Sequence, residues 1–387
     1  MVLTLWNPYC TATASVDFRN GAAHERIPSL DGLRAISIVM VLFGHLAGTR
    51  GFPVSTATGN YLNSAELGVH VFFVISGFLI TRLLLDELAR KQRIALGRFY
   101  LRRTLRIFPP YYTFIAVLVL AGMAGALQLA PHDGLRALTY TTNYDESRSW
   151  YVGHTWSLSV EEQFYLLWPA VLILARTRRA ILIAAGVVLA APLVRLALWE
   201  LWRLPIGARF ETVADAIAVG CVLAGIREWL HRTPGYTRLL SSPLFVLVPI
   251  LAIAANLTHD HPVAYYLVGF GVVNVCVVLC VDWAVTYPEG AIGRVLNAGP
   301  VVFLGVMSYS LYLWQQPFLH RASSAAIASF PLNILLALAC ALASYYLVER
   351  PSLRLRRRIE KRLDGRDEPA PRDASVGAVA PVRITSA

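Results

Sequence analysis

The chain has 387 residues, of which 56% are hydrophobic and 15% are charged, and its mean hydropathy is +0.53. Soluble domains carry roughly 25% charged residues, so this composition excludes a soluble globular protein and predicts a chain embedded in a lipid bilayer. The formal net charge of +11 comes from basic residues between apolar runs. Membrane topology and anionic headgroups account for such residues, and nucleic acid is therefore excluded as a partner.

Apolar stretches long enough to cross roughly 30 Å of hydrocarbon recur along the chain. In order they are Leu33–Ala47, Leu67–Leu85, Tyr111–Leu129, Phe164–Leu174, Ala180–Trp199, Val213–Ile226, Leu244–Leu257, Tyr265–Val285, Val301–Leu319 and Leu332–Val348. The sequence therefore predicts an all-α fold, a polytopic membrane bundle of about ten transmembrane helices over residues 27–362.

Basic residues set the predicted orientation, because loops rich in Lys and Arg stay in the cytoplasm. With a cytoplasmic N-terminus, the inner segments hold seven basic residues between Arg90 and Arg106 and a crowded tail, whereas the outer loops hold only six arginines. Both termini are therefore expected in the cytoplasm. Residues 1–26 lack the features of a cleaved secretory signal and are interpreted as a cytoplasmic leader. Residues 363–387 are rich in Ala, Pro and charge, which predicts a disordered tail.

Arg34 and His45 lie on the first predicted span, eleven residues apart. On a helix this spacing places both side chains on nearly the same face, separated by about 16 Å along the axis. A charged group inside a span costs at least about 2.5 kcal/mol and needs a partner or a purpose. Either residue alone is explained by a snorkelling arginine or a histidine bonded to a carbonyl. The aligned pair favours a functional path through the membrane.

The segment TWSLSVEEQFYLLWP carries Glu161 and Glu162 near the predicted outer end of the fourth span. Adjacent carboxylates on a helix point about 100° apart, so only one is expected to face an interior site. A carboxylate that orients an imidazole is a common arrangement for general base catalysis, and the topology puts Glu161 on the same side as His45. The alternative is that both glutamates are solvated at the interface.

On the cytoplasmic side, Arg103 and Arg106 share a helix face in RFYLRRTLRIFPPYY. Arginine forks suit the phosphates of a nucleotide-bearing donor, although basic residues before a span also serve topology and lipid anchoring.

Asp215 on the sixth span is expected to pair with a nearby arginine such as Arg209. The glycine of SGF (Ser76–Phe78) is expected to allow close helix packing. The cluster SYSLYLWQQP (Ser308–Pro317) either lines a sugar site or anchors a span at the interface.

The five cysteines have no metal-ligand or redox spacing, and the sequence contains no metal-ligand cluster.

Six segments together resemble the membrane acyltransferase-3 family of bacterial integral-membrane O-acyltransferases, in family order from Ile27 to Pro351. They are IPSLDGLRAISIVMVLFGHL, GVHVFFVISGFLIT, RFYLRRTLRIFPPYY, TWSLSVEEQFYLLWP, SYSLYLWQQPF and LVERP. The resemblance implies a multi-pass protein of the bacterial inner (cytoplasmic) membrane. It also implies an acyl-coenzyme A co-substrate, commonly acetyl-CoA, with no metal, and an acceptor hydroxyl on a cell-surface saccharide.

The resemblance implies roles for five residues. His45 is the catalytic base, and Arg34 is the arginine that accompanies it on the first span. Arg103 and Arg106 serve the acyl-donor side, and Glu161 is the glutamate of the WSLSVE element. Our own hypothesis adds that the pantetheine arm lies beside Arg34 and that Glu161 or a nearby backbone group orients His45. Gln315 stands where many relatives have histidine, so no acid or base role is assigned to it. No residue is predicted to stabilise an oxyanion.

Other functions stay open at this point. The acceptor could be a small molecule such as a macrolide. A transporter or flippase would use the intramembrane Arg, His and Asp as a proton or substrate relay. The third alternative is a non-catalytic scaffold for assembly of the cell envelope. Some family members carry a C-terminal esterase-like extracytoplasmic domain. We expect this chain to lack one and either to complete the transfer itself or to pass the acyl group to a separate partner enzyme on the outer side.

Overall fold

The computed structural model describes residues 27–367 except 202, 204 and 205. Within these residues the fold is all-helical, without β-strands, as predicted. The predicted leader at 1–26 and residues 368–387 of the predicted tail lie outside the described residues. Residues 363–367, which the composition assigned to a disordered tail, continue the last helix.

The described α-helices are introduced here in chain order. They are α1 (Pro28–Leu46), α2 (Thr56–Leu62), α3 (Ser64–Lys91), α4 (Leu96–Met123), α5 (Asp133–Leu138), α6 (Trp150–Gly153), α7 (Thr155–Glu200), α8 (Phe210–His231), α9 (Pro234–Ser241), α10 (Leu247–Asn256), α11 (Pro262–Ala264), α12 (Phe270–Thr286), α13 (Ala291–Leu296), α14 (Gly299–Gln315), α15 (Leu332–Ser344) and α16 (Arg350–Asp367). Single π-turns join α11 to α12 and α15 to α16.

Seven helical segments in the described residues are long and apolar enough to cross a membrane. They are Ser29–Leu46, Thr56–Lys91, Leu96–Met123, Trp150–Glu200, Pro243–Asp260, Pro262–Thr286 and Leu332–Leu363. The sequence predicted about ten spans. Two of those predicted spans fall within α7, another falls on α8, which carries charged residues at both ends, and another falls on α14, which has only 17 residues.

The long helix α7 reverses direction at Arg176, whose backbone is non-helical (φ 62°, ψ 159°). Before Arg176, α7 runs alongside α3, because Glu161 contacts Ser76 and Trp168 contacts Thr81. After Arg176, α7 runs against α8. Ile181 packs at Gly225 near the end of α8, and Arg195 bonds Thr212 near its start. The 46 residues of α7 therefore form two antiparallel segments.

Small residues allow α3 and α8 to touch backbone to backbone. A Cβ atom on Gly77 would collide with the carbonyl of Ile217, and one on Gly220 would collide with the carbonyl of Val74. Helices in lipid associate mainly by close packing, and small residues at the contact permit it. The close-packing role predicted for the SGF segment is confirmed.

Asp215 pairs with Arg195 rather than with the predicted Arg209. The Arg195 Nη2 atom lies 2.5 Å from the Asp215 carboxylate, and both side chains are fully buried between α7 and α8. Arg209 instead bonds Glu211 at 3.1 Å. The prediction was wrong because it assumed a partner close in sequence, whereas the reversal of α7 brings Arg195 against α8.

The bundle has two distinct ends. Residues 47–63, 124–154 and 316–331 meet at one end, which we call the loop end; Trp150 bonds Gln316 there and Arg321 bonds Asn60. The helix α16 packs on the start of α4 at the opposite end, which we call the tail end, where Arg98 bonds the carbonyl of Leu363.

Candidate active site

A cavity of about 780 Å³ opens at the loop end. This volume lies in the range typical of ligand pockets. Its wall combines two histidines, four aromatic side chains and several charged or amide groups. They include His45, Glu66, Tyr144, Glu146, Arg148, Ser149, Trp150, His154, Trp156, Arg209, Tyr312 and Gln316. Aromatic side chains and hydrogen-bonding groups therefore both line a space large enough for a small organic ligand.

His45 lies near the C-terminal end of α1 and faces this cavity. Its Nδ1 atom is 2.8 Å from Oε1 of Gln315, a fully buried side chain at the end of α14. An amide oxygen only accepts hydrogen bonds, so this contact places the imidazole proton on Nδ1. Nε2 is then left unprotonated, which is the form that can take a proton from a hydroxyl.

Trp150 packs edge-on against His45, with ring centroids 5.5 Å apart. Two reciprocal hydrogen bonds hold it to Gln316: the indole Nε1 donates to the Gln316 carbonyl at 2.8 Å, and the Gln316 side chain donates to the Trp150 carbonyl at 2.9 Å. The ring of His320 stacks on its other side at 5.6 Å. Gln316 and His320, which follow the C-terminal end of α14, therefore hold the cavity wall beside His45 in place.

Glu161 does not contact His45, contrary to the expectation that it orients this ring. One oxygen of Glu161 accepts a hydrogen bond from Ser76 at 2.8 Å, and the other lies 3.9 Å from Arg103. The reason is that the two side chains lie at different depths in the helical bundle. Glu161 follows the start of α7 by six residues, which is roughly 9 Å along the helix, whereas His45 lies at the level of the loop end. Gln315 takes the orienting position instead.

Arg103 lies inside the bundle between the two glutamates of α7. Its Nε atom donates to Glu162 at 3.2 Å, and its guanidinium lies 3.1 Å over the ring of Tyr165. Both Glu161 and Glu162 therefore contact the guanidinium of Arg103. From their adjacent positions on the helix, only one of them was expected to face the interior. Arg103 spans the gap because a guanidinium has five donors in a planar fork.

Arg106, by contrast, has no carboxylate within 4 Å in the part of the chain that the structure describes, and its side chain is exposed. Arg34, Arg103 and Arg356 are close enough to interact with it electrostatically, as is Glu349. Arg34 itself lies 3.4 Å from Asp31. Arg356 lies 3.6 Å from Glu360, so Arg106 is the member of this group that lacks a carboxylate within 4 Å among the described residues, and it is the arginine best placed to bind an anion.

His154 was not singled out from the sequence. It immediately precedes α7, is 3% exposed and lines the same cavity as His45. Its ring packs against Phe114 and Tyr312, with centroids 5.5 and 5.3 Å away. The only signal in the sequence was its position directly before TWSLSVEEQ, because a lone histidine beside a loop has no informative spacing.

The loop before α6 is held by charged groups that support the cavity wall. Arg148 donates to the carbonyls of Thr142 and Asp145, and Arg136 lies 3.0 Å from the Asp145 carboxylate. Burial raises the pKa of Asp145, but hydrogen bonds from Ser147 and the two arginines outweigh it, so its pKa lies below the usual value. Asp145 is therefore an ionised anchor of this loop at neutral pH.

Membrane-length helices surrounding an interior polar site define a multi-pass membrane protein whose site lies within the bundle. The profile described as "Acyltransferase domain" (Acyl_transf_3) matches residues 27–350, and the chain belongs to this acyltransferase family. The resemblance noted in the sequence is thereby confirmed. No solved structure matches the chain.

Curated relatives cover most of this chain. "Putative peptidoglycan O-acetyltransferase YrhL" of Bacillus subtilis is 27% identical over 366 residues, which are 85% of this chain and 55% of the relative. "O-acetyltransferase OatA" of Staphylococcus aureus is 28% identical and covers 84% of this chain and 57% of its own length. "Peptidoglycan O-acetyltransferase OatA" of Listeria monocytogenes is 25% identical, with shares of 77% and 50%. The chain thus spans about half the length of the curated relatives it matches.

Proposed function

We propose that this protein is a membrane O-acetyltransferase that moves an acetyl group from acetyl-CoA to a hydroxyl of a cell-surface saccharide. The observation that carries the proposal is His45, held by Gln315 and facing the cavity at the loop end. Family membership supports the acyl chemistry, and the names of the relatives make peptidoglycan the first acceptor to test.

The proposal includes ten crossings of the bacterial cytoplasmic membrane. Seven segments meet the length and composition of a span. Counting α7 as two crossings, because of the reversal at Arg176, and adding α8 and α14 gives ten. An even number puts both termini on one side, and the basic residues of the tail end favour the cytoplasm for that side. The loop end then faces outward, where a saccharide is available.

The donor is proposed to bind from the tail end. Arg106 and Arg34 would hold the phosphates of acetyl-CoA, because Arg106 is exposed and lacks a carboxylate partner among the described residues. Arg103 contributes positive charge to the same space, although Glu161 and Glu162 already balance it. Glu161 is therefore proposed to position Arg103 rather than His45. The pantetheine arm would extend past Arg34 toward His45, which lies about 16 Å further along α1.

His45 is proposed as the general base. Nε2 takes the proton of the acceptor hydroxyl while the hydroxyl oxygen attacks the thioester carbonyl carbon. The new C–O bond forms, the C–S bond breaks, and the departing thiolate takes the proton from the imidazolium. Gln315 keeps the ring in the productive tautomer through both halves of the reaction.

The test uses the purified full chain in lipid nanodiscs with radiolabelled acetyl-CoA and a peptidoglycan glycan fragment. We expect label to appear on the glycan as an alkali-labile ester, and His45→Gln to abolish its appearance. His132→Gln is the matched control, because His132 is exposed and is not among the residues that line the cavity.

Equal transfer by the wild type and His45→Gln would remove the base assignment. Movement of the glycan across a vesicle membrane without any acylation would instead support a flippase.

A further inference from the structure

His154 is a buried histidine whose ring nitrogens lack a hydrogen-bond partner of normal geometry among the described residues. The backbone of Leu313 approaches the ring without meeting that geometry, and the side chain is only 3% exposed. Buried polar groups in native proteins nearly always have partners, because an unsatisfied one costs about 1–3 kcal/mol. A buried ring that lines a cavity and lacks a partner therefore points to a ligand that supplies one.

The position of His154 is rigid although its ring is unpartnered. Its carbonyl accepts hydrogen bonds from the hydroxyls of Tyr312, at 3.0 Å, and Ser157, at 3.2 Å. Phe114 and Tyr312 pack against the ring itself. A group held this way keeps its geometry through a reaction without reorganising.

His154 and His45 line the same cavity and lie close enough to interact electrostatically. A hydroxyl that attacks a thioester beside His45 Nε2 therefore does so in a cavity that a second imidazole also lines. The surroundings of His154 are aromatic, and no carboxylate is paired with it among the described residues, so its neutral form is favoured. A neutral imidazole still carries one N–H donor.

We infer that the His154 N–H donates a hydrogen bond to the oxyanion that forms when the acceptor hydroxyl attacks the thioester carbonyl. As the C–O bond forms, the carbonyl π electrons move to oxygen, and the N–H of His154 stabilises that charge. When the C–S bond breaks, the electrons return and the hydrogen bond weakens. His154 gives up no proton, while His45 carries the proton from hydroxyl to thiolate.

Other donors in the cavity wall are engaged or less suitable. Arg148 already bonds two carbonyls, and Arg209 bonds Glu211. The Gln315 amide nitrogen is also unpartnered among the described residues, but Gln315 does not line the cavity. Ser149 has an unpartnered hydroxyl in the wall and is a competing candidate that is tested beside His154.

The inference rests on the proposed function, and its test measures acetyl transfer by five variants of the full chain in nanodiscs. His154→Phe keeps an aromatic ring between Phe114 and Tyr312 but removes the N–H. Loss of one oxyanion donor typically lowers kcat about 10²- to 10³-fold, and we expect that loss here with the KM for acetyl-CoA changed less than about twofold. His154→Asn and His154→Gln offer an amide N–H near the positions of the two ring nitrogens. At least one of them should recover about tenfold over the Phe variant.

Ser149→Ala is the comparison within the cavity, and His132→Phe is the control for an exposed histidine. A kcat of His154→Phe within about threefold of wild type, or a large loss in Ser149→Ala alone, overturns the inference. So does a fall in thermal stability of His154→Phe that parallels its loss of activity, because that result assigns a packing role. Absence of transfer by the wild type itself would overturn the proposed function, and the inference with it.

Discussion

Replacing Gln315 with leucine tests whether the orientation of His45 matters for the reaction. Leucine fills a similar volume but cannot accept the proton of His45 Nδ1, now 2.8 Å from the Gln315 amide oxygen. A buried N–H that loses its acceptor costs about 1–3 kcal/mol, which the ring can avoid by turning or by moving its proton to Nε2. Either change blocks the basic nitrogen. If this change raises the activation free energy by about 1.4–2.7 kcal/mol, kcat falls 10- to 100-fold.

The stability of this variant should change little. The Gln315 side chain is fully buried and its amide nitrogen has no partner among the described residues, so leucine also removes an unsatisfied donor. The assay is kcat for acetyl transfer together with the thermal unfolding midpoint. Gln315→His should retain activity within about tenfold of wild type because an imidazole nitrogen can accept the Nδ1 proton in place of the amide oxygen. Gln128→Leu is the exposed control. Unchanged kcat in a stable Gln315→Leu protein would refute the reasoning.

Three further predictions concern the donor site, the helix packing and the loop that supports the cavity. Arg106→Ala should raise the KM for acetyl-CoA about 10-fold or more, because a charge-assisted hydrogen bond contributes about 1.5–3 kcal/mol; the KM for acetyl-pantetheine, which lacks the nucleotide, should not change. Gly77→Ala should lower the thermal unfolding midpoint, since overpacking at a closed backbone contact costs about 1–3 kcal/mol. Asp145→Asn should destabilise the protein at pH 7, and its difference in unfolding midpoint from wild type should shrink as the pH is lowered below about 3.9. The folded pKa of Asp145 is depressed, so its stabilisation is complete above the unfolded value of about 3.9 and disappears as pH falls through the folded pKa.

Each of these three has a control and a contradicting result. Arg357→Ala removes an exposed arginine of α16, and an equal rise in KM there would make the Arg106 effect a general charge effect. Gly97→Ala adds a Cβ where no atom lies within 4 Å, and equal midpoints for both glycine variants would contradict the packing explanation. A pH-independent difference between Asp145→Asn and wild type would show that the carboxylate charge contributes nothing.

Hydrophobic periodicity was sufficient to predict helices, because a span must satisfy its own backbone hydrogen bonds and therefore shows as a long apolar run. The apolar runs on either side of Arg176 also indicated where α7 is divided, although no local pattern showed that a single non-helical residue reverses the chain there. The buried pair of Arg195 and Asp215 was missed because the order of the spans along the chain does not specify which of their faces meet.

The candidate site was predictable only where spacing along one helix determines geometry. Arg34 and His45 share α1, and helical periodicity alone relates them. The partner of His45 lies 270 residues away on α14, and no local pattern specifies which side chain reaches the ring. Glu161 was misassigned because the topology gave its side of the membrane but not its depth.

The boundary of the acyltransferase family profile, at residue 350, falls inside a continuous helix. The segment Leu332–Leu363 runs unbroken through it, and Arg356, beyond that boundary, is one of the arginines that act on Arg106. Chimeras built by exchanging this region between relatives should therefore be joined after Asp367 rather than at the profile border. A junction at residue 350 would combine the transmembrane core of one protein with the basic helix of another.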